Sequence, residues 1–412
     1  MKLKFIKIKF ALLGAASVLL LGGCLKKTDS AAIPGEPIKF SGDNLVATLA
    51  KETSLKLFNQ AFLKAGLDKI VTTDKGFTFF ALTDSGMTAA GLDATTITRL
   101  KADSLRKLIG YQIISGAYDD ATFSKGSVAQ QLFTLKVDTI KKDNGAVSLS
   151  PTYVFIKQQS GFYFNGAAVA QSKAGIKAVN GSIYIMTALV PVLPASGTLW
   201  DAINNDPDLS MYRMAIAIQD SVHIAAIGYD DGSSDIGLFS RIPDQYHQGM
   251  MPTILAPTNK AFHDAGFNTY DDIATFAARY YTGPDPVNGV TFNYSSIDSV
   301  LRHHIIFNID ISTGNTGMIR VFYNDFLTAD INNGFYNNFI GGGSYQPAYL
   351  TYPVPLTFSS ANGIAQVKWT KDASQPLVTM PKDASAAHPV NNRVTANGTL
   401  YKIDKLFYPI AK

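Results

Sequence analysis

Cysteine is almost missing from this chain: Cys24 is the only one in 412 residues. A single thiol excludes an internal disulfide and any zinc site built from several cysteines, so stability has to come from packed cores. An excess of one charge sign is missing too. The +4 balance is 36 basic against 32 acidic residues, and four of the lysines, Lys2, Lys4, Lys7 and Lys9, stand at the very start. Without those four the count is 32 against 32, which gives no electrostatic reason to expect nucleic acid as a partner. Beyond the short apolar segment from Phe10 to Leu21, no run approaches the ~20 apolar residues of a membrane helix.

Signals for catalysis are equally sparse. There is no phosphate loop, dinucleotide fingerprint or zinc motif. Gly341-Gly342-Gly343-Ser344 comes without a nucleophile elbow and reads as a loop. The segment from Asp230 to Asp235 lacks the closing Glu of a calcium loop and reads as a solvated turn. His223, His247, His263 and His388 are scattered. His303 and His304 are adjacent, and neighbours in a strand point to opposite faces, so they are poorly placed to chelate one ion. The expectation is a protein with no cofactor, no metal and no enzymatic activity.

What is present begins at the N-terminus. A lysine-rich start and a short apolar run lead into Leu21-Gly22-Gly23-Cys24. This segment resembles the lipobox of bacterial lipoproteins. The resemblance implies cleavage before Cys24, acylation of that residue and a membrane anchor made of lipid. Residues 1–23 are then a signal peptide. Residues 24–41, polar and carrying Pro34, Gly35 and Pro37, form a flexible tether. By resemblance to known sorting, Leu25 after the cysteine fits the outer membrane, at the cell surface or on its periplasmic face.

After residue 41 the chain repeats itself. Leu45, Leu49, Leu55 and Phe58 return as Leu199, Ile203, Leu209 and Tyr212, each 154 residues later, at near-helical spacing. Phe77 to Met87 and Thr253 to Phe262 each read as an apolar strand followed by a helix start, with Thr83-Asp84 and Thr258-Asn259 as cap residues. Ser104 to Ile114 and Ser299 to Ile306 each run from helix into strand. Both copies close on strands around Asn-Gly, Asn180-Gly181 and Asn397-Gly398, a strong hairpin signal.

This set resembles the fasciclin (FAS1) domain family. Thr253 to Phe262 is similar to the family's first block, T-V-F-A-P-T-N-x-A-F, and Asn397 to Pro409 to its last, N-G-x-h-x-x-I-D-x-V-L-x-P, where h is apolar. His303-His304 lies where the family often has Tyr-His. The first copy departs from the pattern: Leu82 replaces the proline, Gln112 the histidine, and Thr187 stands where Asp404 stands later. The resemblance implies an α+β fold of two tandem domains, residues 42–195 and 196–412. Each would be a small twisted β-sandwich or wedge with packed helices, the second enlarged by insertions. It also implies adhesion or protein interaction. The junction from Pro191 to Gly197 is short and leaves little freedom between the domains.

Insertions are where binding residues are expected, because long connections sit on a rigid scaffold. The stretch from Val321 to Tyr352 carries nine Phe and Tyr residues among Asn and Gly. Tyrosine gives large, stiff, half-polar contact area. The candidate partner-binding residues are therefore His303, His304, Tyr323, Tyr336, Tyr345 and Tyr349. A structural reading competes: the aromatics complete a β-core, and a histidine holds a buried hydrogen bond. The partner is expected to be a protein or a glycan at the envelope, with the membrane engaged through the lipid. The functional alternatives are glycan capture beside an uptake system and a periplasm-facing scaffold.

Overall fold

Phe77–Leu82 is an aromatic and apolar run without Gly or Pro, and it forms strand β1, buried on both faces. It is the centre of the N-terminal half. The computed structural model describes residues 42–141, 147–227, 235–240, 251–284, 291–306, 320–332, 336–340, 349–353, 356–370, 374–382 and 392–407. All of them fall in one compact unit, Pro37–Lys412.

After β1 the N-terminal half adds β2 (Ile113–Ser115), β3 (Gln130–Lys141), β4 (Val147–Gln158), β5 (Phe162–Phe164), β6 (Ala167–Val169), β7 (Gln171–Ala178) and β8 (Gly181–Met186). They form one eight-stranded sheet in the order β6-β5-β4-β3-β2-β1-β8-β7. Only β1 and β8 run parallel, Phe77 opposite Gly181 through Leu82 opposite Met186. Helices Leu45–Lys51, Lys56–Lys64, Asp84–Ala89, Ala94–Arg99 and Ala102–Gly110 pack on one face of that pair. Their core joins Leu45, Leu49, Phe58 and Phe62 to Phe79, Ala81, Ile183 and Ile185. The alternate residues, Phe80 and Tyr184, face a second core with Phe123, Phe162 and Phe164, whose rings lie 4.7–5.8 Å apart. Period-2 alternation thus gives one strand pair two cores.

The C-terminal half repeats this plan. Its strands are β9 (Thr253–Pro257), β10 (Tyr280–Pro284), β11 (Thr291–Ser295), β12 (Ile305–Ile306), β13 (Tyr336–Ile340), β14 (Tyr349–Pro353), β15 (Leu356–Ala361), β16 (Ile364–Trp369), β17 (Val378–Met380), β18 (Asn392–Val394) and β19 (Thr399–Ile403). β9 pairs in parallel with β19, Thr253 opposite Thr399 as Thr78 stands opposite Ser182. β12 flanks β9 antiparallel, as β2 flanks β1. Helices Leu199–Asn204, Ser210–Ile227, Asn259–Asp264, Tyr270–Ala277 and Ser296–Arg302 build the helical core with Ile254, Ala256 and Leu400. Leu255, Tyr401 and Ile403 face the other core, with Trp369, Phe326 and Phe358. The fold class is mixed α+β.

The polar ties repeat as faithfully as the strands. Asn180 Oδ1 accepts the Leu45 N–H at 2.8 Å and its amide donates to Thr72 O at 3.0 Å. Asn397 Oδ1 accepts the Leu199 N–H at 2.7 Å and its amide donates to Phe239 O at 2.7 Å. Asp84 and Asn259, each following a capping Thr, reach back to accept the Leu57 and Met211 N–H at 2.8 and 2.9 Å. The Asn-Gly signal therefore marks more than a turn. In the first half the hairpin turn is Val179-Asn180, with Ala178 opposite Gly181. In the second it spans four residues, Thr395 to Gly398. The glycine follows from close approach: a Cβ on Gly181 would sit 1.8 Å from Phe77 O, and one on Gly398 2.4 Å from Pro252 O.

Candidate functional site

Helix Ser296–Arg302 ends on His303, and the chain turns through His304 into β12. The two histidines thus lie in a helix-to-strand turn and not, as expected from their neighbours, within a strand. Their rings go to different partners. His303 is half-buried, edge-on to Trp369 with centroids 4.6 Å apart. His304 is fully buried and stacked on Phe407 at 5.2 Å. Its Nε2 accepts the Phe407 N–H at 2.9 Å, so Nδ1 carries the proton and donates to Leu255 O at 3.0 Å. Burial pulls its pKa down to about 3, with His303 adding to the shift, so the ring is neutral.

His304 as a partner contact is therefore corrected: it ties β9, the turn and the C-terminal segment together, and a partner cannot reach it. The first half does the same job without a histidine. Gln112 is buried and its Oε1 accepts the Val190 N–H at 2.9 Å. Each of these residues also accepts through its backbone carbonyl from the central strand, Phe80 N–H to Gln112 and Leu255 N–H to His304.

Tyr323 is corrected on the same ground. It is 8% exposed, its hydroxyl donates to Met380 O at 2.6 Å, and it accepts the Ala365 N–H at 3.0 Å. Phe326 and Phe322 are buried as well. Tyr336 and Tyr349 lie on the β13–β14 hairpin, where Tyr336 pairs with Pro353 and Ile340 with Tyr349. Tyr345, Cys24 and Gly341 to Ser344 lie outside the described residues, as do residues 230–234. Asp235 opens helix Asp235–Ser240, whose second residue, Ile236, donates its N–H to Asp220 at 2.9 Å.

The buried part of the aromatic stretch serves a seam between the halves. Phe322 packs on Phe155 with centroids 5.4 Å apart, over Gly166, where a Cβ would meet its ring at 2.6 Å. Arg320 is fully buried and donates to Thr395 O at 2.8 Å and Ala396 O at 2.9 Å, with its guanidinium 5.6 Å from the Phe155 ring centroid. Desolvation draws its pKa down to about 10, which leaves it charged at neutral pH. Gln159 donates across to Asn324 O at 3.2 Å. Asp325, also fully buried, accepts the Phe322 N–H at 3.0 Å. Burial raises its pKa to about 7 against the pull of that bond and of Lys157 from the other half. Lys402 makes a second buried polar cluster, 2.9 Å from Asp206 and 3.2 Å from Asp208.

These groups hold the fold. Among the described residues no group of three or more His, Cys, Asp or Glu gathers as a metal site, and no helix is long and apolar enough to cross a membrane. One surface feature went unnoticed in the sequence: the outward face of β3 and β4 is apolar and exposed. Its signal was available in the alternation Val147, Leu149, Pro151.

Residues 53–191 match the family model of the Fasciclin domain. The match falls on the half whose motif residues depart most from the family pattern. No curated protein matches the chain. Among solved structures, a FAS1 domain pair from the insect cell adhesion molecule Fasciclin I aligns with 86% of this chain and 97% of its own, at 10% identity and a TM-score of 0.29.

Proposed function

We propose that this chain is a non-enzymatic interaction module of the cell envelope, built on two fasciclin-type domains and anchored through a lipid on Cys24. The observation that carries the reading is the internal repeat. The fasciclin match lies on residues 53–191, and the C-terminal half reproduces the same parallel strand pair, register and Asn tie. Fasciclin domains are associated with adhesion and protein interaction. The buried ionisable groups of the described core serve packing and hydrogen bonding, which is what a scaffold presenting surfaces needs. The lipobox-like segment supplies the attachment, and the outer face of the outer membrane is the proposed location.

The test compares cells with and without the protein for attachment to surfaces and to one another. Attachment is expected to fall in the deletion strain and to return with the wild-type gene. Protease shaving of intact cells should remove the body. Undiminished attachment in the deletion strain would sink adhesion, and survival of the body on intact but not permeabilised cells would sink the surface placement.

A further inference from the structure

A two-stranded arm in the N-terminal half is built inside out. Beyond the bulge near Phe133, β3 and β4 pair Val137 with Pro151, Thr139 with Leu149 and Lys141 with Val147. Phe133, Val137, Val147, Leu149 and Pro151 share one face and are all exposed, Leu149 at 70% and Val147 at 60%. The opposite face carries polar groups and turns toward helix Ala102–Gly110, half-open to solvent. Asp138 there lies 2.8 Å from Lys136, accepts from Thr152 at 3.3 Å and approaches Lys107 of helix Ala102–Gly110 at 4.0 Å. Alternating apolar and polar residues ordinarily put the apolar face against a core. Here that face is the one left uncovered, and an exposed strip of this kind marks a contact surface.

We propose that this strip lies against the lipid surface to which the chain is tethered. The proposal rests on the anchoring reading above for its geometry. The exposed apolar area is on the order of 400 Å², the size of patch that marks a contact surface. A membrane needs no matching shape, and a tether raises the strip's effective concentration at the surface. The distances agree. Thr134 stands beside Ile114, which stands beside Thr78, so the arm leaves the sheet past the Leu82 end of β1. Asp43 is held at the other end, where its carbonyl accepts the Val179 N–H next to Gly181. Strand spacing and rise put strip and Asp43 on the order of 25 Å apart. The 18 residues from Leu25 to Gly42 can reach at most about 60 Å, which exceeds that separation. The chain is therefore long enough for anchor and strip to engage one membrane together.

The test uses residues 25–412, which contain the whole compact unit and carry no lipid, floated with phospholipid vesicles at millimolar lipid. The protein should rise with the vesicles, and Val147→Asp with Leu149→Asp should lower partitioning at least tenfold while leaving the circular dichroism spectrum and melting unchanged. Failure of the unlipidated body to float overturns the proposal. So does a dimer in sedimentation that the double substitution dissolves, because it would give the strip to a second copy. Radiolabelled palmitate on the full-length chain, present in the wild type and absent in Cys24→Ser, tests the anchor separately. A body that floats without labelling at Cys24 would keep the strip and remove the tether.

Discussion

His304 holds three pieces of backbone with one neutral ring, and the proton inventory sets how it responds to acid. In the unfolded chain its pKa is near the ordinary value of 6.5, and burial lowers it to about 3 in the fold. Between those values the unfolded state binds the extra proton. Its contribution to stability is therefore fully present above about pH 6.5 and is lost as pH falls toward 3. Asp325 works in the opposite sense, raised from 3.8 to about 7, so its contribution is present below about pH 4 and is lost as pH rises through 7. His304→Gln isolates the first effect, because Gln112 shows that an amide oxygen can accept the equivalent backbone N–H. The variant is expected to fold, and its urea midpoint should fall less than wild type's between pH 6.5 and pH 4. A wild-type-minus-variant difference that does not vary with pH would contradict the buried neutral histidine. At this scale Asn180 and Asn397 were visible in the sequence and their role was not. Asn-Gly announced a turn, while the bonds to Leu45 and Leu199, 135 and 198 residues away, need the folded chain to be seen.

Elements were the most legible level. The apolar runs at Phe77 and Thr253 became the central strands, and Thr83 and Thr258 cap the helices that follow, accepting from Gly86 at 3.1 Å and Ala261 at 3.4 Å. What period-2 patterning cannot report is which face of a strand finds a partner, and β3 and β4 show both outcomes along one length. Lys402 shows a related limit. It stands opposite Ala256 as Ile185 stands opposite Ala81, yet its side chain is 1% exposed and sits between two carboxylates. A strand position that takes Ile in one half takes an ion cluster in the other. Removing only the cation leaves Asp206 and Asp208 unneutralised in a buried place, so Lys402→Ile should destabilise by about 3–5 kcal/mol. Adding Asp206→Asn and Asp208→Asn removes that penalty. The amide oxygen introduced at position 206 can still accept the backbone N–H of position 208, which the Asp206 carboxylate accepts at 3.1 Å. The triple variant is expected to recover most of the loss in denaturant melts. No recovery would mean that the cluster is net stabilising in its own right.

At the scale of the whole molecule the halves share a core. Ala129 and Phe155 from the first cluster with Met251 and Phe322 from the second, and Val128 is buried among the C-terminal residues Val321, Phe326 and Tyr401. None of this was readable in the chain. The short junction from Pro191 to Gly197 pointed to restricted motion, but the contacts that restrict it join residues far apart in the chain, as Phe155 and Phe322 do, with no periodicity between them. The seam predicts how the protein unfolds. Phe322 fills the space above Gly166 and against Phe155, whereas Arg320 grips Thr395 and Ala396 within its own half. Phe322→Ala empties the seam and leaves the Arg320 bonds in place, at a cost of about 3–5 kcal/mol to whatever cooperative unit contains the ring. If that unit is the whole body, calorimetry on the wild type gives a single transition, and the variant separates into two as each half melts on its own. A variant that still melts once, merely at lower temperature, would place the coupling in the other contacts of the seam and not in the ring.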